Sequence, residues 1–235
     1  MVKNASRKIA ISLAFYFAAS SPLFAQFFPV PEDAVEAYIV GIKNQDFDAV
    51  LNATAVEHMS KRFDFSYSVD RIQSLSLRTS APSTSDLFVA VNKAEFVNGV
   101  ATSVRLLAYE LLTESEILNG KTVRMRASDA VAFAETVDTK RLADIKLLEI
   151  GIPDPKTVGS EVYQNNAAIG AKVFGAATLA ERVALISFEG ATFAVGFTLI
   201  RYEEGWGVMR LGSNVAGLML NPQPVTHEQF QMMLD

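Results

Sequence analysis

Cysteine is missing from this chain. Its absence excludes structural disulfides, thiol nucleophiles, thiolate metal sites and a lipid-bearing N-terminal cysteine. Histidine is nearly missing as well, with only His58 and His227 present. A histidine-rich zinc centre therefore has no ligands to draw on, and only a carboxylate site stays open in principle. No metal and no cofactor are expected. Lysine and arginine form no cluster, and 21 basic residues stand against 26 acidic ones. A nucleic-acid partner is not expected, because such binding neutralises phosphates with a basic face. No Gly-x-Ser-x-Gly run occurs, so the common hydrolase elbow has no support. What the chain does have is apolar material: half of its 235 residues are hydrophobic, enough to bury a sizeable core.

The first 25 residues read as a secretory signal. Lys3, Arg7 and Lys8 precede the uncharged apolar run IAISLAFYFAA, which is followed by Ser20-Ser21-Pro22 and then Leu23-Phe24-Ala25. Charge, apolar segment, breaker and small residue in that order are what export requires, with a cut expected after Ala25. The alternative is an uncleaved anchor, but Ser20 to Pro22 interrupt the run well short of the ~20 residues a spanning helix needs. No stable membrane span is expected once the signal is gone. Cleavage would remove three of the 21 basic residues and none of the 26 acidic ones, for a net charge of −8. Export without cysteine points to a bacterial envelope, periplasmic or secreted.

Past the signal, Pro29, Pro31, Glu32 and Asp33 open a helix whose stripe is Val35, Tyr38, Ile39 and Ile42. A polar turn ending at Asp46 leads to a second helix, with Phe47, Val50, Leu51, Thr54 and His58 on one side, and the two should pack as a hairpin. The period then changes. Phe63, Phe65, Tyr67 and Val69 alternate with polar residues and predict a strand. Leu87 to Phe96 and Val100 to Leu112 read as two strands joined at Asn98-Gly99, since Asn-Gly is the strongest short hairpin pattern. Lys121 to Ala127 reads as another strand. Between Ser128 and Gly151 the pattern is ambiguous: Val131 and Phe133 suit a strand or a helix, while Leu142, Ile145 and Leu148 suit a helix. Pro153 and Pro155 mark a break. Ser160 should cap a helix with Val162, Ile169 and Val173 on one face. Leu179 to Gly212 then forms successive antiparallel strands broken at Glu189-Gly190 and Glu203-Glu204-Gly205, with Trp206, the single tryptophan, after the second turn. Thr226 to Gln229 reads as a capping box for a last short helix, docked on its own domain or on a partner.

Two catalytic look-alikes fail on spacing. Gly120-Lys121-Thr122 ends like a phosphate-binding loop, but Ser115 stands where that loop needs its first glycine. His227-Glu228 begins like a zinc-protease helix, but Gln231 occupies the second ligand position. Three residues remain as weak site candidates. His58 lies on an apolar stripe, where a histidine is either an acid or base facing a cavity or a core residue bonded to a carbonyl. Tyr38 must find a partner for its hydroxyl or point into a polar pocket. Trp206 is either a ligand platform or a strand anchor.

Two stretches, PEDAVEAYIVGIKNQDFDAV and FTLIRYEEGWGVMRLG, together resemble the NTF2-like superfamily, of cystatin-like α+β type. The resemblance implies a curved antiparallel sheet packed on N-terminal helices as a cone, here with an enlarged middle region from Arg62 to Gly175. It also implies a cup that holds a small apolar ligand and a sheet face that often forms a homodimer. Fold alone does not supply function. The expected organisation is a signal over residues 1–25, a single α+β domain over 26–215, and a linker with a short C-terminal helix over 216–235. The leading functional expectation is an exported, non-catalytic domain binding a small hydrophobic ligand or another envelope protein. The alternatives are an isomerase- or hydrolase-type enzyme with an acid/base site at His58, and an assembly factor acting through the C-terminal helix. The second face of the final strands needs a cover, either the middle insertion or a second copy of the chain.

Overall fold

The computed structural model describes residues 26–76, 79–113, 123–219 and 222–235. The expected signal over residues 1–25, the Gly120-Lys121-Thr122 look-alike and the start of the strand expected at Lys121 lie outside the described residues.

Pro31, Glu32 and Asp33 start α1 (Pro31–Lys43), which buries Ala34, Val35, Tyr38, Ile39 and Ile42 on one stripe. The following turn uses Gln45 in the left-handed region, and α2 (Phe47–Asn52) is capped by Asp46, whose carboxylate accepts from the Ala49 N–H. The two helices pack as the expected hairpin. Their approach depends on Gly41, where a Cβ would stand 2.8 Å from the Val50 nitrogen. α3 (Val56–Arg62) follows directly, and His58 sits on it rather than on the second helix.

The middle of the chain overturns the strand expectations. Asp64 accepts from the Tyr67 N–H and starts α4 (Phe65–Ile72), a helix where alternation predicted a strand. Ser85 accepts from the Phe88 N–H and starts α5 (Asp86–Leu112), 27 residues that absorb both strands of the expected hairpin. Asn98-Gly99 lies inside this helix. Its turn preference is local and weak, whereas Asn92, Val100, Ser103, Leu107, Ala108 and Leu111 recur at helical spacing and bury one continuous stripe. Residues 123–126 are not a strand, and α6 (Ala127–Thr136) contains Val131 and Phe133. Leu142 lies in a 3-10 helix (Thr139–Asp144), but Leu148 belongs to a strand, β1 (Lys146–Gly151), which gains backbone pairing along a neighbouring strand that a helix would forfeit.

After the Pro153 break come α7 (Pro155–Val158) and α8 (Glu161–Lys172), the latter capped by Ser160 as expected. It buries Ala167 and Ala171 against the sheet and leaves Val162 and Ile169 exposed, so of the expected apolar face only Val173, at the helix end, is buried. The legible C-terminal block forms β2 (Thr178–Phe188), β3 (Ala191–Tyr202) and β4 (Gly205–Leu211), hairpin-linked through Glu189-Gly190 and Glu203-Glu204. Glu189 and Gly190 both take positive φ, 47° and 86°, which suits the twist of a two-residue hairpin turn. Short β5 (Gln223–Pro224) pairs with the start of β3, and α9 (His227–Leu234) carries the expected Thr226–Gln229 capping box.

The expected cone is corrected to an open sheet. Its strands are antiparallel in the order β1-β2-β3-β4, with β5 beside β3, and β1 does not meet β4. The segments that would have supplied further strands for closure are α4 and α5. One face carries Val195, Phe197, Leu199, Val208 and Leu211 against α1 and α5. The other is covered from within the chain, in part by the expected middle region, whose α8 packs on β2. Phe230 of α9, with Met233 and Leu234, packs on Val183, Leu185 and Ala194, while Met59 and Phe174 pack near Ile200 and Tyr202. The C-terminal helix therefore docks on its own domain.

A buried carboxylate fixes the loop after β4. Glu181 accepts from the Ser213 hydroxyl and from the Val215 N–H at 3.0 Å. Nearby Tyr163 has its pKa pushed up to about 12, first by burial and then by the charge and hydrogen bond of Glu181. Gly196 permits the loop's approach, since a Cβ there would lie 2.5 Å from the Ser213 nitrogen.

Candidate functional site

A cleft of about 390 Å³ opens between α5 and β4, beneath α1. Each wall follows from an amphipathic pattern. α5 contributes Phe96, Val100 and Ser103 at spacings of four and three, α1 contributes Tyr38, α3 contributes Met59, and β4 contributes Val208 and Leu211. The lining is mostly apolar. Of its hydroxyls, Ser103 donates to the Gly99 carbonyl at 3.0 Å and Thr54 to the Leu51 carbonyl at 2.6 Å, so both are used within their own segments.

Tyr38 differs. Its residue surface is 1 % exposed, its ring meets Phe197 edge-on at 5.7 Å, and its hydroxyl makes no hydrogen bond among the described residues. Burial holds its pKa well above the ordinary tyrosine value, so the hydroxyl keeps its proton and remains a donor. The hydroxyl lines the cleft, where a ligand acceptor or a water can accept from it.

His58 belongs to a separate group and does not line this cleft. Its Nε2 lies 3.3 Å from Glu204 Oε1, an oxygen that also accepts from Arg62 Nη2 at 3.0 Å. Phe27 meets the imidazole edge-on at 4.5 Å, and Tyr202 lies 5.1 Å away under the Arg62 guanidinium. Tyr202 donates to the Phe174 carbonyl at 3.0 Å. The Glu204 carboxyl is held below the usual glutamate value by its own backbone N–H, then by His58 and Arg62, against a smaller opposing effect of desolvation. His58 Nδ1 is buried with no partner. Nε2 faces Glu204, and Nδ1 is sealed from solvent. A side chain 23 % exposed, with one nitrogen occupied and the other buried, offers no free nitrogen to a substrate.

Trp206 sits on β4 and exchanges both backbone hydrogen bonds with Phe28, at 2.8 and 2.9 Å. Its ring packs on the main core, with the Arg201 guanidinium 5.8 Å from its centroid. The three sequence candidates thus stand apart: Tyr38 lines the cleft, His58 joins a surface ion pair, and Trp206 anchors an edge. Phe96, Val100 and Ser103 were missed because α5 was read as strands. Their three-and-four spacing was the pattern that could have revealed them. Glu204 was missed because it lies 146 residues from His58, a pairing no local pattern encodes.

Among the described residues, no group of three or more histidine, aspartate or glutamate side chains could hold a metal ion. Nor is any helix among them long and apolar enough to cross a membrane. A second cleft, of about 470 Å³, lies between the α1–α2 turn and α5, with Phe47, Val104 and Leu142 in its walls.

The fold and cleft define an α+β domain with one helical layer packed on each face of an open antiparallel sheet. No protein-family model and no curated protein matches the chain. Among solved structures it is similar to a cystatin-like protein from Ruminococcus gnavus ATCC 29149, with a TM-score of 0.55 and 15 % sequence identity. The match covers 83 % of this chain and 44 % of that one, so this chain spans less than half the length of the protein it matches. The likeness is one of fold. It is a weak resemblance to the cystatin-like, NTF2-like fold.

Proposed function

We propose that the protein is an exported, non-catalytic binding domain whose cleft between α5 and β4 takes a small hydrophobic molecule bearing one hydrogen-bond acceptor. The observation that carries this reading is the unpartnered Tyr38 hydroxyl in an apolar cleft of about 390 Å³. That volume falls in the range of small-molecule sites, roughly 300–1,000 Å³. Apolar walls would supply the affinity, and the Tyr38 hydroxyl, with Glu95, Thr102 and Arg210 also in the lining, would orient the ligand. Export, to the periplasm or beyond, rests on the sequence of residues 1–25.

The test uses a fluorescent apolar probe, N-phenyl-1-naphthylamine, titrated into the purified protein. Val100→Trp fills the cleft from α5 and should abolish probe binding in a protein that still unfolds cooperatively. Unchanged binding in that folded variant would remove the cleft from consideration.

A protein partner is the second reading. Leu87, at 70 % exposure, lies with Phe88 and Val91 on one face of the first turns of α5. Such an exposed apolar stripe suits an envelope protein or a second copy of the chain. The enzymatic reading finds His58 beside a carboxylate, but outside the cleft and without an accessible nitrogen. The assembly reading finds Phe230, Met233 and Leu234 of α9 already engaged by the sheet.

A further inference from the structure

The outer edge of β4 is covered by backbone at two positions and open at a third. Trp206 exchanges both of its outward hydrogen bonds with Phe28, at 2.8 and 2.9 Å. Val208 does the same with the segment after α2, donating to the Ala53 carbonyl and accepting from the Ala55 N–H, both at 2.9 Å. Glycines admit these covers: a Cβ on Gly205 would lie 2.5 Å from the Phe28 carbonyl oxygen, and one on Gly207 would lie 3.1 Å from the Ala55 nitrogen. A bulge then changes which residue faces out. Thr198 pairs with Arg210 and Leu199 with Val208, so Met209 is the extra residue and the next outward position falls on Leu211. The Gly212 N–H donates to the Gly196 carbonyl at 2.7 Å, a bond that brackets the Phe197–Leu211 pair. Leu211 is therefore a non-hydrogen-bonded partner of Phe197, and its own N–H and C=O point out from the edge. Among the described residues no backbone bridge reaches them.

What lies beyond this position is the cleft, which Leu211 lines together with Phe96 and Val100 of α5. The helix cannot complete the edge, because Phe96 to Ser103 sit in the interior of 27 helical residues whose backbone groups bond along the helix. Leu211 is 2 % exposed, so bulk water has little access to it.

We propose that the cleft is a binding site for a short peptide, an apolar residue flanked by two amides that pairs with the β4 edge at Leu211. The proposal rests on the cleft reading above and names its ligand class. The residue's N–H donates to the Leu211 carbonyl and its carbonyl accepts from the Leu211 N–H, the same exchange that Phe28 makes with Trp206 on this strand. Directly paired residues put their side chains on one face of a sheet. The Leu211 side chain packs in the main core with residues of α1 and α5, so the side chain of its partner enters the apolar cleft. The acyl carbonyl of the ligand remains to accept from Tyr38, in the same lining. Ala53 to Ala55 already hold the edge at Val208, which keeps the ligand short.

The test competes N-acetyl-phenylalanine amide against N-phenyl-1-naphthylamine on the purified protein, beside O-acetyl-3-phenyllactic amide of the same chirality, in which an ester oxygen replaces the residue's N–H. The peptide should displace the probe, and the ester analogue should need about ten times the concentration, since it leaves the Leu211 carbonyl without its donor. In the peptide complex the Leu211 amide proton should shift downfield and exchange more slowly with solvent. Val100→Trp should abolish binding of both probe and peptide. Equal displacement by peptide and ester, with the Leu211 proton unmoved, overturns the edge pairing and leaves the cleft as a small-molecule site. Failure of the peptide to displace a bound probe overturns the peptide as ligand and also leaves that site standing. If neither probe nor peptide binds and the Leu211 proton stays unmoved, the cleft reading falls with the proposal.

Discussion

Replacing Phe230 with alanine tests whether α9 belongs to the domain or is held in reserve for a partner. Phe230 is 0 % exposed, and its ring lies among Val183, Leu185, Ala194 and Leu218 on the outer face of the sheet. Two polar ties hold the same helix: the Asp154 N–H donates to the Met233 carbonyl at 2.9 Å, and Gln231 Nε2 donates to Glu149 Oε2 at 2.9 Å. Those ties and the capping box keep the helix in place when the ring is removed, so the site cannot collapse freely. The cost should therefore reach the range for a buried phenylalanine, about 3–5 kcal/mol. Against a typical total of roughly 5–15 kcal/mol, that is a large fraction of the stability. Urea unfolding followed by tryptophan fluorescence would read it as a lower midpoint at unchanged slope. Met232→Ala on the same helix, at 63 % exposure, should stay within about 0.5 kcal/mol. A Phe230→Ala change below about 1 kcal/mol would refute the docking argument and revive the assembly-factor reading.

Other outcomes follow from single contacts. Tyr38→Phe should leave stability unchanged or slightly raised, because the lost hydroxyl has no partner, and weaken an acceptor-bearing ligand about threefold to tenfold in Kd, read by titration. Gly99→Ala should raise the unfolding free energy by roughly 0.5–1 kcal/mol, since this mid-helix glycine has open space where a Cβ would go. Gly205→Ala should cost on the order of 1–3 kcal/mol, because it meets both a positive φ and the Phe28 carbonyl, and loss of the Phe28–Trp206 pairing would appear in amide exchange. Glu57 is pushed up by burial, but its hydrogen bonds and charge contacts with Lys61 and Lys93 outweigh this and hold its pKa below the ordinary 4.5. A depressed folded value means the contribution is present at neutral pH and is lost as the pH falls below 4.5 through the folded pKa, so Glu57→Gln should flatten the acid limb of a stability profile.

How much was readable depends on whether a segment's burial follows from its own sequence. α1, the caps at Asp46, Ser160 and Thr226, and the strands from Thr178 to Leu211 were legible because their apolar periods and breakers agree with the structure they adopt. The stretch from Phe63 to Leu112 was not. Its alternation and its Asn98-Gly99 pair favour strands over a few residues, yet the caps at Asp64 and Ser85 and the long stripe ending at Leu112 win once the helix has a surface to bury against. Tyr38 was legible as an inward tyrosine, but its lack of a partner was not, because satisfaction of a hydroxyl depends on neighbours from three other elements.

The sequence by itself determined composition-level exclusions, the helix that opens the domain, the hairpins that close it and the single tryptophan at an edge. Only the tertiary structure decided that the sheet is open, that α8 and α9 pack on its outer face, and that His58 faces Glu204 from 146 residues away. The physical reason is one of range. Caps, turns and periodicity act within a few residues, whereas which face is buried, which edge stays unpaired and which hydroxyl lacks a partner are settled by segments distant in the chain.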